Sequence, residues 1–179
     1  YMTEGVDRCI ERCRDALALA DGNADTKLKI APTLFMAQAN YALGQYRLVV
    51  AALERASWLL DPTVQGGEVG LPVRPIIMRG YWMAIAQAEL GDFDAAKALS
   101  AEMFASSDDR QPFESLYAGT AQGFVAMQFG DLAAALEFSS PALDRAEHYE
   151  ITFIIPVLAS QGGFLLAQQG RVSEGLTMV

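Results

Sequence analysis

The sequence predicts an all-α fold, an α-α superhelix of about four helical hairpins. Three observations carry this. A Gly–polar–apolar phrase recurs along the chain, as "LGQYRLVVAAL" from Leu43, "LGDFDAAKAL" from Leu90, "FGDLAAALEF" from Phe129 and "QGRVSEGLTM" from Gln169. Small residues keep a fixed distance on either side of each glycine. Uncharged segments alternate with charged ones.

The glycines Gly44, Gly91, Gly130 and Gly170 are separated by 47, 39 and 40 residues, a period that belongs to stacked helical pairs. Seven residues before each stand Ala37, Ala84, Gly123 and Gly163. Two after stand Tyr46, Phe93, Leu132 and Val172, and five after stand Val49, Ala96, Ala135 and Gly175. A helical hairpin explains all three columns. Gly ends the first helix in a left-handed conformation that other residues adopt at a cost. Asp92 or Asp131 then caps the second helix. The apolar residue tucks under the hairpin, and the small residues let the two helices approach closely.

Residues 30–46, 80–88, 115–130 and 151–170 carry no formal charge, whereas the stretches between them hold nearly all of it. Such segments are buried or line a sheltered surface, while the amphipathic helices face water. Taken in order, helices are expected near 4–20, 27–43, 45–60, 74–90, 92–106, 112–129, 131–147, 151–169 and 171–179. The hairpins are then 27–60, 74–106, 112–147 and 151–179 within a single domain spanning 1–179, and 4–20 is the leftover second helix of a preceding unit. "QGGEVGLP" from Gln65 is expected to be a flexible connection, and Pro141 to kink or split its helix. The chain starts without Met and stops inside a helical pattern, so it is expected to be a piece of something larger.

Composition narrows the function. Against 13 Lys and Arg stand 22 Asp and Glu, a net charge of −9, with no basic run. Nucleic-acid and anionic-membrane binding are therefore not expected. The uncharged window 151–170 has membrane-spanning length, but Pro156, the Gly162–Gly163 pair and three glutamines favour a buried helix. Cys9 and Cys13 are read as packing residues in a reducing compartment, since no further zinc ligand is near and a disulfide there would close almost no loop.

Catalytic chemistry finds no constellation, and no catalytic, cofactor-binding or metal-binding residue is assigned. "GGEVG" lacks the lysine of a phosphate loop. His148 is the only histidine, and its pairing with Asp144 is read as a solvated ion pair at a helix end. The pairs Asp108–Asp109 and Asp92–Asp94 are read as a loop and a helix start.

These columns resemble the tetratricopeptide repeat family over residues 4–179, with units longer than the usual ~34 residues. The longer units, the insert "GLPVRP" and "LLAQQGRVSEGL" are similar to the tetratricopeptide region of large bacterial signalling ATPases and regulators, of the adenylate-cyclase-linked or LuxR type. The resemblance implies a cytoplasmic, non-catalytic interaction or sensor domain of a multidomain signalling or transcription regulator. Its partner would be a protein, a peptide or a neighbouring domain of the same chain. A small-molecule receptor and a self-assembly module, giving a homo-oligomer, stand as alternatives.

Such repeats present their first helices to a groove. Counting back ten, six and three residues from each glycine selects Leu34, Gln38 and Tyr41; Tyr81, Ile85 and Ala88; Thr120, Phe124 and Met127; and Ser160, Phe164 and Ala167. The candidate groove is thus Gln38, Tyr41, Tyr81, Ile85, Phe124, Met127 and Phe164, with Arg74 and Arg79 as an anionic anchor. Its neutrality suits an apolar helix or peptide, or an uncharged ligand.

Overall fold

The structure, a computed structural model, describes residues 5–23, 25–108 and 110–179. Among these, nine α-helices pack in neighbouring pairs and no strand occurs. They are α1 (Val6–Asp21), α2 (Ile30–Ala42), α3 (Tyr46–Arg55), α4 (Pro75–Glu89), α5 (Phe93–Ser106), α6 (Pro112–Phe129), α7 (Leu132–His148), α8 (Ile155–Gln168) and α9 (Val172–Met178). Short 3-10 turns at Thr26–Lys29, Ser57–Leu60 and Gly66–Val69 fill the connections around α2, α3 and α4.

The hairpin turns repeat one hydrogen-bonding pattern. Gly44, Gly91, Gly130 and Gly170 have φ of 70°, 81°, 91° and 82°. In each turn the residue after the glycine donates its N–H back to the first helix: Gln45 to Asn40, Asp92 to Gln87, Asp131 to Ala126 and Arg171 to Leu166, at 2.9, 3.0, 2.9 and 3.0 Å. This satisfies helix-end carbonyls that would otherwise be orphaned. Asp92 and Asp131 then accept from the N–H groups of Ala95 and Ala134, capping α5 and α7.

Among the described residues the same turn occurs once without glycine. At the end of α7, Ile151 N–H reaches the Ala146 carbonyl at 2.8 Å, and Glu150 takes the left-handed conformation at φ 54°. A non-glycine residue is strained there. Glu150→Gly is accordingly expected to stabilise the protein by about 0.5–1 kcal/mol. A urea midpoint unchanged or lowered in this variant would count against the strain.

The columns of small residues lie where helices touch. Ala37, Ala84, Val49, Ala96 and Ala135 are fully buried. A methyl group added to Gly123 would meet the side-chain oxygen of Ser139, and one added to Gly163 would lie 2.7 Å from the carbonyl oxygen of Gly175. The main core, built around Ile30, Leu34, Leu53, Leu59, Ile77 and Trp82, joins the first two hairpins and reaches α6 through Ala118 and Ala121. Each large apolar side chain buried there stabilises the fold by about 1.5–3 kcal/mol.

Four local expectations are corrected. The second helix of the first hairpin ends at Arg55, not near 60, and continues as the 3-10 turn Ser57–Leu60. Pro141 does not split α7, which runs as one helix from Leu132 to His148 with Pro141 on its exposed side. The Gly-rich connection is a packed turn: Gly66 is buried against the Val73 and Leu71 carbonyls, and Lys27 binds Glu68 at 2.6 Å. His148 forms no ion pair with Asp144; it is exposed and meets the Tyr149 ring edge-on, with ring centroids 4.7 Å apart. Residue 4, at the start of the first expected helix, and Asp109 of the Asp108–Asp109 pair lie outside the described residues.

The window 151–170 forms only part of a helix. Residues 152–154 are a turn, and α8 begins at Ile155 with Pro156 in its first turn, where a missing N–H costs least. No helix among the described residues is long and apolar enough to cross a membrane. This turn also sets the superhelix geometry. First helices α2 and α4 pack together, as do α4 and α6, whereas α6 and α8 scarcely touch. Ile151, buried in one cluster with Leu116 of α6 and Leu158 of α8, occupies the intervening space. The last hairpin is therefore offset from the third, and a cleft opens between them.

Candidate functional site: an aromatic cleft on the first helices

Five rings run in sequence, four on the first helices and the outermost, Tyr46, at the start of α3. Tyr46 meets Tyr41 at a centroid distance of 5.1 Å, Tyr41 meets Trp82 at 5.4 Å, Trp82 meets Tyr81 at 5.0 Å, and Tyr81 meets Tyr117 at 5.0 Å. The interplanar angles, from 53° to 86°, are tilted or edge-to-face, which aligns positive ring edges with negative faces. The spacing of the repeat brings these rings together: Tyr41, Tyr81 and Tyr117 come from three successive first helices.

At the far end of this series the offset of the last hairpin leaves a cavity of about 240 Å³. Gln38, Tyr81, Trp82, Leu116, Tyr117, Thr120, Phe153, Ile154 and Val157 line it. Among the described residues that line it, none is charged. The Thr120 hydroxyl donates to the Leu116 carbonyl within its own helix at 2.7 Å. The Gln38 amide and the hydroxyls of Tyr81 and Tyr117 have no hydrogen-bond partner in the chain among the described residues. The indole N–H of Trp82 is buried and also unpartnered. Burial pushes the Tyr81 and Tyr117 phenols above their ordinary range, so both remain protonated donors near neutrality.

The candidate groove residues divide into four groups. Gln38 and Tyr81 line the cavity. Tyr41 stands beside it in the ring series, and its hydroxyl donates to Glu89 at 3.2 Å. Phe124 and Met127 pack half-buried against core clusters further along α6, and Ile85 is 3% exposed, with no surface to offer a ligand. Phe164 is exposed, on α8. Leu34, Ala88 and Thr120, selected by the same count, are buried.

The two arginines do not form an anionic anchor. The Arg74 guanidinium forks onto Glu114, with Nε to Oε1 at 2.7 Å and Nη2 to Oε2 at 2.6 Å, and Nη2 also donates to the Ser106 carbonyl. Glu114 further accepts from the backbone N–H groups of Arg74 and Asp108. Burial works against the charge on Glu114, but these hydrogen bonds outweigh it and hold the carboxyl below its ordinary range. Arg79 donates to the Leu53 carbonyl at 3.1 Å, and burial lowers its pKa. Both cations are thus committed to holding helices together.

Cys9 and Cys13 are free and buried between α1 and α2 with Ile10 and Ala39. Burial, and then the neighbouring Cys9, push the Cys13 thiol up to about 11, which disfavours the reactive thiolate. Among the described residues, no group of three His, Cys, Asp or Glu side chains is placed to hold a metal ion.

Trp82, Leu116, Tyr117, Phe153, Ile154 and Val157 are the cavity residues that sequence reasoning missed. Trp82 and Tyr117 adjoin positions in the counted columns, and a search for aromatics in the uncharged helices would have found them. Phe153, Ile154 and Val157 had no such signal, because the turn before α8 and the start of α8 lie outside the counted columns. No protein-family model matches the chain, and no curated protein matches it.

Proposed function

We propose that this chain is a non-catalytic interaction domain of the tetratricopeptide type. It receives an uncharged, largely apolar segment of a protein partner on the face formed by its first helices. One observation carries the reading: the repeat gathers a continuous series of aromatic rings on that face, ending in an uncharged cleft with unpartnered hydrogen-bonding groups. Aromatic side chains supply large contact area at low entropic cost and dominate the energetics of many interfaces. Partners of such a surface are recognised by apolar anchors and a few directional hydrogen bonds.

The regular turns and the paired small residues support the likeness to tetratricopeptide repeats. With it comes a role as the partner-binding arm of a larger cytoplasmic signalling or transcription regulator. The high net negative charge resides mostly on the second helices and loops, and serves solubility there.

Selection of random twelve-residue peptides on the isolated chain tests the interaction reading. Enriched sequences are expected to be neutral and apolar, and Tyr81→Ala is expected to weaken them tenfold or more, whereas Glu137→Ala on the exposed side of α7 leaves binding unchanged. Enrichment of strongly basic peptides sensitive to Glu137→Ala, or no enrichment at all, would overturn it.

A further inference from the structure

We infer that the cavity between α4, α6 and the turn preceding α8 is a site for a small, uncharged, planar molecule that carries hydrogen-bond acceptors. This goes beyond the interaction reading by placing a small-molecule site on the same face.

Size is the first constraint. At about 240 Å³ the cavity lies just under the ~300 Å³ at which pockets begin to take drug-sized ligands. One ring system with its substituents fits such a space; a helix or a run of extended peptide does not.

Shape and polarity supply the next two. Tyr81, Trp82 and Tyr117 make one wall of consecutive rings, against which a flat molecule gains offset or edge-on contacts. Leu116, Ile154 and Val157 supply apolar lining. The two phenol hydroxyls are donors without partners among the described residues, and the Gln38 amide offers both a donor and an acceptor. Among the described residues the Trp82 indole N–H is the lining group that is both buried and unpartnered; such a group is costly, so a ligand acceptor that reaches it gains more than its contact area alone provides.

Charge is the last constraint. With no charged side chain among the described lining residues, an anion or cation entering the cavity would lose hydration and gain no counter-ion from them. Phe153 and Val157, both more than half exposed, stand at the outer wall. Phe153 belongs to the short turn before α8, and Val157 to the first turn of α8 itself. Occupancy of the cavity therefore bears on how the last hairpin sits against the third.

The test uses the isotope-labelled chain and its tryptophan indole N–H signals in solution. The chain has two tryptophans, so Trp58→Phe assigns the signal of Trp82. Benzamide, nicotinamide and uracil are the neutral probes, with benzoate and benzylammonium as charged controls. At least one neutral probe is expected to move the Trp82 signal saturably while Trp58 stays still. Tyr81→Phe and Tyr117→Phe, which keep the rings, are each expected to weaken that probe about fivefold, the loss of one neutral hydrogen bond. A stationary Trp82 signal with all three neutral probes would overturn the inference, as would equal movement by benzoate, or unchanged affinity in the variant lacking both hydroxyls. Peptides selected by the same face alongside a stationary Trp82 signal would remove the small-molecule site and leave the interaction reading standing.

Discussion

Replacing Arg74 by Met is expected to destabilise the protein by about 3 kcal/mol at neutral pH, the low end of the cost of orphaning one member of a buried ion pair. The low end applies because the Arg74 side chain is 20% exposed, although its partner Glu114 is only 3% exposed. Methionine keeps much of the volume and removes the charge, so Glu114 is left buried with only backbone donors. The loss should also depend on pH. In the wild type the folded-state pKa of Glu114 is depressed. Its contribution is thus fully present above the unfolded value of ~4.3 and is lost as pH falls through the lower folded value. In the variant the unpaired carboxyl takes up a proton more readily, so the difference between the two proteins shrinks as pH drops below ~4. Urea unfolding at pH 7 and at the lowest pH where both proteins fold measures this. A difference under 1 kcal/mol at pH 7, or one that grows on acidification, would show that the clamp is dispensable.

The second large effect is expected at Gly163. Alanine there would gain up to ~1 kcal/mol of helix propensity over glycine. Against this, its methyl group would sit 2.7 Å from the Gly175 carbonyl oxygen and 2.7 Å from a Val179 methyl group. Val179 can turn aside, but the Gly175 backbone moves only with α9. Overpacking of this kind costs about 1–3 kcal/mol, so the contact outweighs propensity and Gly163→Ala is expected to loosen α9 from α8. Amide hydrogen exchange should rise across Val172–Met178 and stay unchanged in α4 and α6. Gly170→Ala is the informative comparison: a methyl group there meets nothing within 4 Å, so its penalty comes only from φ of 82°. Unchanged protection of α9 in Gly163→Ala would mean that the hairpin has slack the structure does not show.

The first of these effects bears on function through the cleft. The Arg74–Glu114 clamp ties the start of α4 to the start of α6, the two helices that carry Tyr81 and Tyr117. Loss of the clamp is expected to weaken any ligand of the cleft even though neither residue lines it.

The sequence by itself determined the hairpins. Gly44, Gly91, Gly130 and Gly170 are legible because few residues other than glycine take a left-handed turn cheaply, and their spacing cannot drift without breaking the stack. The small-residue columns are legible for the same reason: where two helix backbones nearly touch, side-chain volume is fixed locally, as at Gly163 and Gly175. Tyr81 and Gln38 are legible because they stand at counted positions of the first helices, ten and six residues before their own glycines.

Tertiary structure alone decided the rest. Arg74 has the appearance of a free cation in the sequence, because its partner Glu114 is 40 residues away and becomes its neighbour only when α4 and α6 pack. Ile85 shares the phase of Tyr81 plus one turn, yet it is buried, because neighbouring helices cover more of α4 than a fixed count from one glycine can capture. The cleft itself depends on Ile151, Phe153 and Ile154, a turn unique to the last hairpin that holds α8 off α6. A repeat pattern describes what neighbouring units share; this cavity exists where two neighbours differ, and only their packing shows how far apart they stand.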